Sequence, residues 1–162
     1  MIVLDGPVGT ELALRGVPTP PPAWSAAGLD HPDVLASIHA DYAAAGATVH
    51  TACTFRTQPR VCPDFRERAR LAVAIARGAV PSSHRVAGSL APIADCYRPD
   101  LAPPLGEARP LHRALAAALA EAGVDLVLCE AFPRADELAV AVEEVARLGV
   151  LAWASLTAGP DA

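Results

Sequence analysis

The stretch "AAAGATV" at residues 43–49 decides the fold, because one glycine joins the end of a helical pattern to the start of a β-prone run. The same device recurs as "AEAGVDL" at residues 120–126 and as "ARLGVLA" at residues 146–152. In each copy a glycine (Gly46, Gly123 and Gly149) stands where a helix C-cap is expected. Helices that each lead into a new strand predict βαβ units and a parallel sheet.

The rest of the chain follows the same alternation of apolar runs and helical periodicity. Five strands are predicted: Ile2–Leu4, Thr48–Thr54, Arg85–Leu90, Asp125–Glu130 and Leu151–Thr157. Four helices are predicted between them: Val34–Ala45, Asp64–Gly78, Leu111–Ala122 and Ala135–Leu148. Asp33 and Asp64 are the expected N-caps, and the Pro-rich stretches Val17–Pro22 and Tyr97–Pro110 are predicted to be loops.

The length of the chain leaves two α/β architectures open. A complete (β/α)₈ barrel takes about 250 residues, whereas this chain has 162. Five strands and four helices therefore fit either an open five-stranded sheet or the N-terminal half of a barrel. In both cases residues 1–162 are expected to form a single domain.

The composition and charge of the chain argue against several classes of protein. The chain is 52% hydrophobic and 19% charged, which is typical of a globular protein. Its net charge is −5 and its 13 basic residues, all Arg, are scattered, so we expect no nucleic-acid partner. No apolar run is long enough to cross a bilayer. Four cysteines without a CxxC pair favour neither a disulfide framework nor a structural zinc site, and a reduced, cytoplasmic setting is expected.

Polar residues at the carboxyl ends of the predicted strands should share one mouth of the fold. They are Asp5, Cys53, Thr54, Ser89, Glu130, Ser155 and Thr157. Glu130 ends an apolar run and needs a partner, which is either a ligand ammonium or an internal Arg or backbone cluster. Asp5 either caps the short helix that follows it, which is the favoured interpretation, or binds substrate together with the loop.

Other catalytic motifs are missing from the sequence. The opening "GPVG" at residues 6–9 lacks the GK[ST] ending of a phosphate loop and does not match GxGxxG. The chain has no GxSxG elbow, and its histidines form no HExxH pattern. Cys53 and Cys129 are predicted to be buried small hydrophobes, and His39 to be a structural helix residue.

Several stretches, taken together and in order, carry a family resemblance. They are "LDGPVGTELALRG" (4–16), "WSAAGLDHPDVLASIHADYAAAGATVHTACTFRT" (24–57), "RVAGSLAPIADCYRPD" (85–100), "HRALAAALAEAGVDLVLCEAFP" (112–133) and "AWASLT" (152–157). With these the chain resembles the homocysteine S-methyltransferase family, whose fold is a (β/α)₈ barrel. The resemblance implies transfer of a methyl group from a sulfonium donor, S-methylmethionine or S-adenosylmethionine, to the homocysteine thiolate, which gives methionine.

The resemblance also implies roles for particular residues. Asp5 and Gly6 match the first-strand loop that receives the amino-acid end of homocysteine, and Glu130 matches the acid that takes its ammonium. Ser89 and the pair Cys53–Thr54 match positions that line the pocket. Family members hold a zinc ion with cysteines late in the chain, and this sequence has no counterpart of that Gly-Gly-Cys-Cys segment.

Two departures concern the pocket itself. Cys53 stands where many members have Asn, and Ala131 stands where many have Thr. Three hypotheses follow from the sequence: the N-terminal half of a methyltransferase, a non-catalytic half-barrel that binds amino acids or self-associates through its open sheet edges, and a small open-sheet enzyme with Asp5 and Glu130 as paired carboxylates.

Overall fold

The structure, a computed structural model, describes residues 1–157 and contains one parallel sheet with helices between its strands. The four strands are β1 (Val49–Ala52), β2 (Arg85–Leu90), β3 (Leu126–Phe132) and β4 (Leu151–Leu156). The five α-helices are α1 (Val8–Leu14), α2 (Pro32–Ala44), α3 (Phe65–Ala79), α4 (Leu105–Glu121) and α5 (Ala135–Ala146). Two short 3₁₀ helices span Trp24–Asp30 and Pro99–Leu101.

The strands pair in chain order, β1-β2-β3-β4, and every pair is parallel. A doubly wound sheet would reverse its strand order partway, so the strictly sequential order is that of a barrel wall. Helix residues pack on one side of the sheet, where Leu90 and Val127 join α4 and α5 in the largest core cluster. The opposite side carries a smaller cluster of Val49, Ala87, Leu126 and Leu128, with Trp153 packed against it.

The three glycines after helix ends adopt the predicted backbone conformation. Their φ angles are +103° at Gly46, +83° at Gly123 and +71° at Gly149. A side chain is strained at such angles, whereas glycine adopts them freely. The predicted helix–glycine–strand connection is therefore confirmed before β1, β3 and β4.

The predicted first strand, Ile2–Leu4, is wrong as a strand of the sheet. Leu4 makes a single isolated parallel bridge with Val49, and the Asp5 amide donates to the Val49 carbonyl at 3.0 Å. Three residues are too few to build a longer ladder before Gly6 and Pro7 turn the chain away. Within residues 1–157 the sheet therefore has four strands where the sequence predicted five, and residues 1–4 lie along its β1 edge as an exposed segment.

Two local predictions are also corrected. Helix α4 begins at Leu105, so the second half of the predicted loop Tyr97–Pro110 is helical and Pro110 lies inside the helix. Proline at this position removes only one backbone hydrogen bond, which the tertiary packing of α4 offsets. Asp33 lies in the first turn of α2, where His31 is the N-cap residue. Asp64 is the N-cap residue of α3, as predicted, although its side chain makes no capping hydrogen bond.

No helix among residues 1–157 combines the length and the apolar character that a membrane crossing requires. The helices that pack on the sheet are amphipathic, and their polar sides carry ion pairs such as Arg66–Glu121 between α3 and α4.

Candidate functional site

A cavity of about 380 Å³ opens at the carboxyl ends of β1, β2 and β3. Ligand sites in parallel α/β folds form at this end because the loops that follow the strands meet there. Its walls come from the N-terminal loop, the first 3₁₀ helix and the ends of three strands: Leu4, Asp5, Gly6, Pro7, Val8, Gly9, Ser25, Thr51, Ala52, Cys53, Phe55, Ser89 and Glu130. Of the seven candidate polar residues, four line this cavity: Asp5, Cys53, Ser89 and Glu130.

Asp5 anchors the N-terminal loop to β1. Its two carboxylate oxygens accept hydrogen bonds from the Thr51 amide and the Thr51 hydroxyl, each at 2.9 Å. The favoured interpretation of Asp5 as a helix cap is therefore wrong, because α1 starts after Pro7 without a side-chain cap. Burial raises the pKa of the Asp5 carboxyl, and the bonds from Thr51 oppose that rise.

Glu130 reaches the cavity through an irregularity in β3. The register between β3 and β4 shifts between Cys129 and Phe132, and Ala131 adopts a φ of +60°. A bulge of this kind turns the strand locally and re-aims a side chain, and a non-glycine residue at positive φ is typical of strained functional sites. The Ala131 amide in turn donates to the Ser155 hydroxyl at 3.3 Å, so β4 supports the bulge.

The Glu130 carboxylate has one hydrogen-bond donor among the described residues, the Ser89 hydroxyl at 2.5 Å. No Arg or His of residues 1–157 lies within ion-pair distance of it, so the internal-Arg alternative is wrong for this part of the chain. Burial, and secondarily the nearby Asp5 charge, raise the pKa of the Glu130 carboxyl. A ligand cation at this position would relieve both costs.

Gly6 packs closely against α2 in a loop that lines the same cavity as Glu130. A Cβ atom at Gly6 would lie 2.7 Å from the ring of Tyr42, which packs on the loop from α2. The backbone of residues 6–9 thereby lies directly on the cavity wall, with the start of α1 beside it. The first amide groups of a helix have no intrahelical acceptor and can bind an anionic group of a ligand.

The other predicted site residues have different surroundings. Cys53 lines the cavity, but its thiol donates to the Ser25 carbonyl at 3.0 Å and burial raises its pKa to about 12. Thr54 lies behind the wall, where its hydroxyl bonds both the carbonyl and the amide of Ser89 at 2.8 Å. The Thr54 side chain thus joins β1 to β2 and supports the strand end that carries Ser89.

A second cavity of about 370 Å³ adjoins the first and shares Gly9, Ser25 and Phe55 with it. Its remaining walls are Thr10, Thr19, Trp24 and Arg56. The Arg56 guanidinium lies over the Phe55 ring at 5.1 Å from its centroid. The two cavities are therefore adjacent, and both lie near the carboxyl ends of the strands.

The cysteines do not form a metal site in the described part of the chain. All four are free and buried, and the one cluster of three metal-ligating side chains within residues 1–157 contains no cysteine. That cluster is Asp5, His39 and His50, which the sequence analysis did not group. No spacing motif could have found it, because the three residues lie on separate elements.

Comparison with known proteins gives a consistent result. A family model described as homocysteine S-methyltransferase matches residues 2–161. The chain is 30% identical to the homocysteine S-methyltransferase of Escherichia coli (strain K12), over 97% of this chain and 58% of that protein.

Solved structures of the homocysteine methyltransferase MmuM from Escherichia coli are similar in fold. The metallated form superposes with a TM-score of 0.84 at 28% identity, and covers 96% of this chain and 63% of that one. The apo form has a TM-score of 0.76 at 25% identity. The chain spans about three fifths of the length of these relatives, as expected for part of a barrel.

Proposed function

The chain belongs to the homocysteine S-methyltransferase family, and from this premise we propose that its cavity binds the amino-acid end of homocysteine for methyl transfer to the thiol. The observation that carries the proposal is the state of Glu130, a partly buried carboxylate whose described partners include no cation. An acid in this state favours a ligand that brings its own positive charge.

Two parts of the cavity lining carry groups that complement the two ends of an amino acid. Glu130 would accept hydrogen bonds from the ligand ammonium, a charge-assisted contact, while the Ser89 hydroxyl keeps the carboxylate in place. The backbone of residues 6–9 faces the same cavity and would receive the ligand carboxylate through its amide groups. Cys53, a neutral thiol, and Phe55 would line the path of the ligand side chain.

The net reaction proposed is that of the family. The homocysteine thiol loses its proton, its sulfur attacks the methyl carbon of a sulfonium donor, and the donor leaves as a neutral thioether. We propose that the donor is S-methylmethionine or S-adenosylmethionine.

The zinc ion that the family uses to activate the thiol does not fit the cysteines described here. The thiols of Cys53 and Cys129 are buried, and burial raises the pKa of each to about 12. Neither residue belongs to a group of three metal-ligating side chains in the described part of the chain, so neither is suited to hold the ion. We therefore propose that residues 1–157 form the amino-acid subsite. No step of thiol activation is assigned to these residues.

The amino-acid clamp can be tested by calorimetric titration with three thiols. L-Homocysteine carries both charged groups, 4-mercaptobutyrate lacks the ammonium, and 3-aminopropanethiol lacks the carboxylate. We expect homocysteine to bind more tightly than either analogue by at least tenfold, because each analogue leaves one wall unmatched. Equal affinity for homocysteine and 4-mercaptobutyrate would overturn the role of Glu130, and no binding of any of the three would overturn the proposed function.

Two further properties are part of the proposal. We expect a cytoplasmic location, because four free buried cysteines are the state that a reducing compartment maintains. A self-associating module is the second candidate, favoured by Leu151 and Leu156 of β4, whose side chains are more than half exposed. Light scattering of the purified chain tests it: a concentration-independent monomer would reject self-association.

A further inference from the structure

Behind the cavity wall, three side chains from separate elements converge on one point. Asp5 comes from the N-terminal loop, His39 from the middle of α2 and His50 from β1. One ligand atom from each residue lies within 4.8 Å of the others. The Asp5 Oδ2 and His39 Nδ1 atoms are 3.9 Å apart, which is too long for a hydrogen bond.

The two imidazoles are in an unusual state for buried polar groups. His39 and His50 are completely buried, and neither ring nitrogen of His39 has a hydrogen-bond partner among residues 1–157. Nδ1 of His50 is likewise without a partner, while its Nε2 lies 3.0 Å from Nδ1 of His84. Buried polar atoms are almost always satisfied, so unpartnered nitrogens on two neighbouring buried imidazoles indicate that a further atom lies between the rings.

We propose that Asp5, His39 and His50 form a binding site for a divalent transition-metal ion of the zinc class. Two imidazoles and one carboxylate are a donor set that such ions accept. Coordination would satisfy one ring nitrogen of each histidine. It would also use a free lone pair of an Asp5 oxygen that already accepts a hydrogen bond from Thr51. A fourth ligand would be a water molecule.

Metal binding would require the three ligand atoms to move slightly closer together. Ligand atoms around a tetrahedral zinc ion lie about 3.3 Å apart, so the separations of 3.9 Å and up to 4.8 Å must shorten by about 0.5–1.5 Å. A contraction of this size requires small rotations of the three side chains. His84 stacks on His50 at 5.3 Å between ring centroids and bonds it, which is the outer support that a metal-ligating histidine normally has.

The site differs from the thiol-activating centre of the family in both ligands and place. It contains no cysteine, and the Asp5 side chain is only 1% exposed, so the ion would lie under the cavity and not in it. Its role would be to tie the N-terminal loop, α2 and β1 together beneath the amino-acid subsite. The inference does not depend on the proposed function.

The test uses the full chain, stripped of metal with a chelator and titrated with zinc chloride by calorimetry. We expect one zinc ion per chain and a higher thermal unfolding temperature in its presence. The variants His39→Gln and His50→Gln should each lower the affinity at least tenfold. His31→Gln is the matched control, because His31 is exposed and outside the cluster, and it should bind zinc as the wild type does.

Cobalt spectroscopy tests the ligand set without any variant, and so covers the case in which a histidine variant fails to fold. Cobalt bound here should show the visible bands of a four-coordinate site and no thiolate-to-cobalt charge-transfer band. A charge-transfer band would move the ion to the cysteines and overturn the proposal. Absence of stoichiometric zinc binding to the wild type would also overturn it and leave a buried water molecule as the occupant.

Discussion

Glu130 and Glu144 are two acids in the same sheet-and-helix frame with opposite surroundings. Glu144, on α5, is 2% exposed and accepts hydrogen bonds from Arg109 at 2.8 Å and from Arg113 at 2.7 Å. These guanidinium groups lower the pKa of its carboxyl to about 2. Glu130, near the carboxyl end of β3, has only the Ser89 hydroxyl as a described donor, and the pKa of its carboxyl is raised.

The difference shows how to separate a structural acid from a ligand-binding acid. Arg109 and Arg113 of α4 neutralise Glu144 inside the fold, so it holds α4 against α5 and has nothing left to offer a ligand. Glu130 faces a cavity and remains uncompensated within residues 1–157. Charge left unpaired at a cavity wall costs stability, and the cost is recovered when a cation binds.

The largest expected effect is on ligand binding by Glu130→Gln. Removing the charge while keeping the shape should weaken homocysteine binding about 30–100-fold, which corresponds to about 2–2.7 kcal/mol. Calorimetry measures it, and thermal unfolding should show no loss of stability because a buried charge is removed. Unchanged homocysteine affinity in this variant would contradict the role of Glu130.

Glu144→Gln should have the converse profile. Loss of its charge-assisted bonds with Arg109 and Arg113 should lower the free energy of unfolding by about 1–2 kcal/mol, because both guanidinium groups are partly solvated. Chemical denaturation measures the loss, and homocysteine affinity should be unchanged. Glu143→Gln is the control, since Glu143 is mostly exposed and should change stability much less.

The variant Ser89→Ala tests the hydrogen bond that supports the Glu130 carboxylate. Without the hydroxyl, the Glu130 carboxylate loses its described donor, and the pKa of the carboxyl should rise further. We expect homocysteine binding to weaken about three- to tenfold, equivalent to the loss of one hydrogen bond of about 1 kcal/mol. Ser82→Ala, at an exposed position, is the control and should bind as the wild type does.

The smallest effect is a pH dependence whose sign differs between the two acids. The folded-state pKa of Glu144 is lowered, so the advantage of the wild type over Glu144→Gln is complete above pH 4.5 and is lost as the pH falls towards 2. The folded-state pKa of Glu130 is raised, so ionisation of this carboxyl destabilises the folded protein. The wild type should therefore be less stable than Glu130→Gln only above pH 4.5. Denaturation curves across this range measure both, and dependences of the same sign would contradict the contrast.

Much of the fold could be predicted because it depends on local patterns. The glycines after α2, α4 and α5 mark strand starts, and apolar periodicity located the four longer helices to within a few residues except at the start of α4. There a proline suggested a loop, and packing against the sheet overrode it. The short run Ile2–Leu4 is β-prone, but its length allowed one bridge only.

The candidate site could be predicted in part. Asp5, Cys53, Ser89 and Glu130 stand directly after apolar runs, and parallel strands bring such positions to one mouth. The partner of Asp5 could not be predicted, because Thr51 lies 46 residues away and competes with the local helix terminus for the carboxylate. The direction of the Glu130 side chain depends on the bulge at Ala131. That bulge could not be predicted, because an alanine at positive φ has no recognisable sequence pattern.

The sequence by itself determined the order of the elements and which residues end the strands, because glycine conformation and side-chain periodicity act over a few neighbouring residues. Tertiary structure decided which of those residues remain without a counter-charge. Glu144 is neutralised by two guanidinium groups from another helix, whereas Glu130 has no such partner within residues 1–157. His39 and His50 meet Asp5 only after α2 packs on β1. These outcomes depend on contacts between distant segments, and no local pattern encodes them.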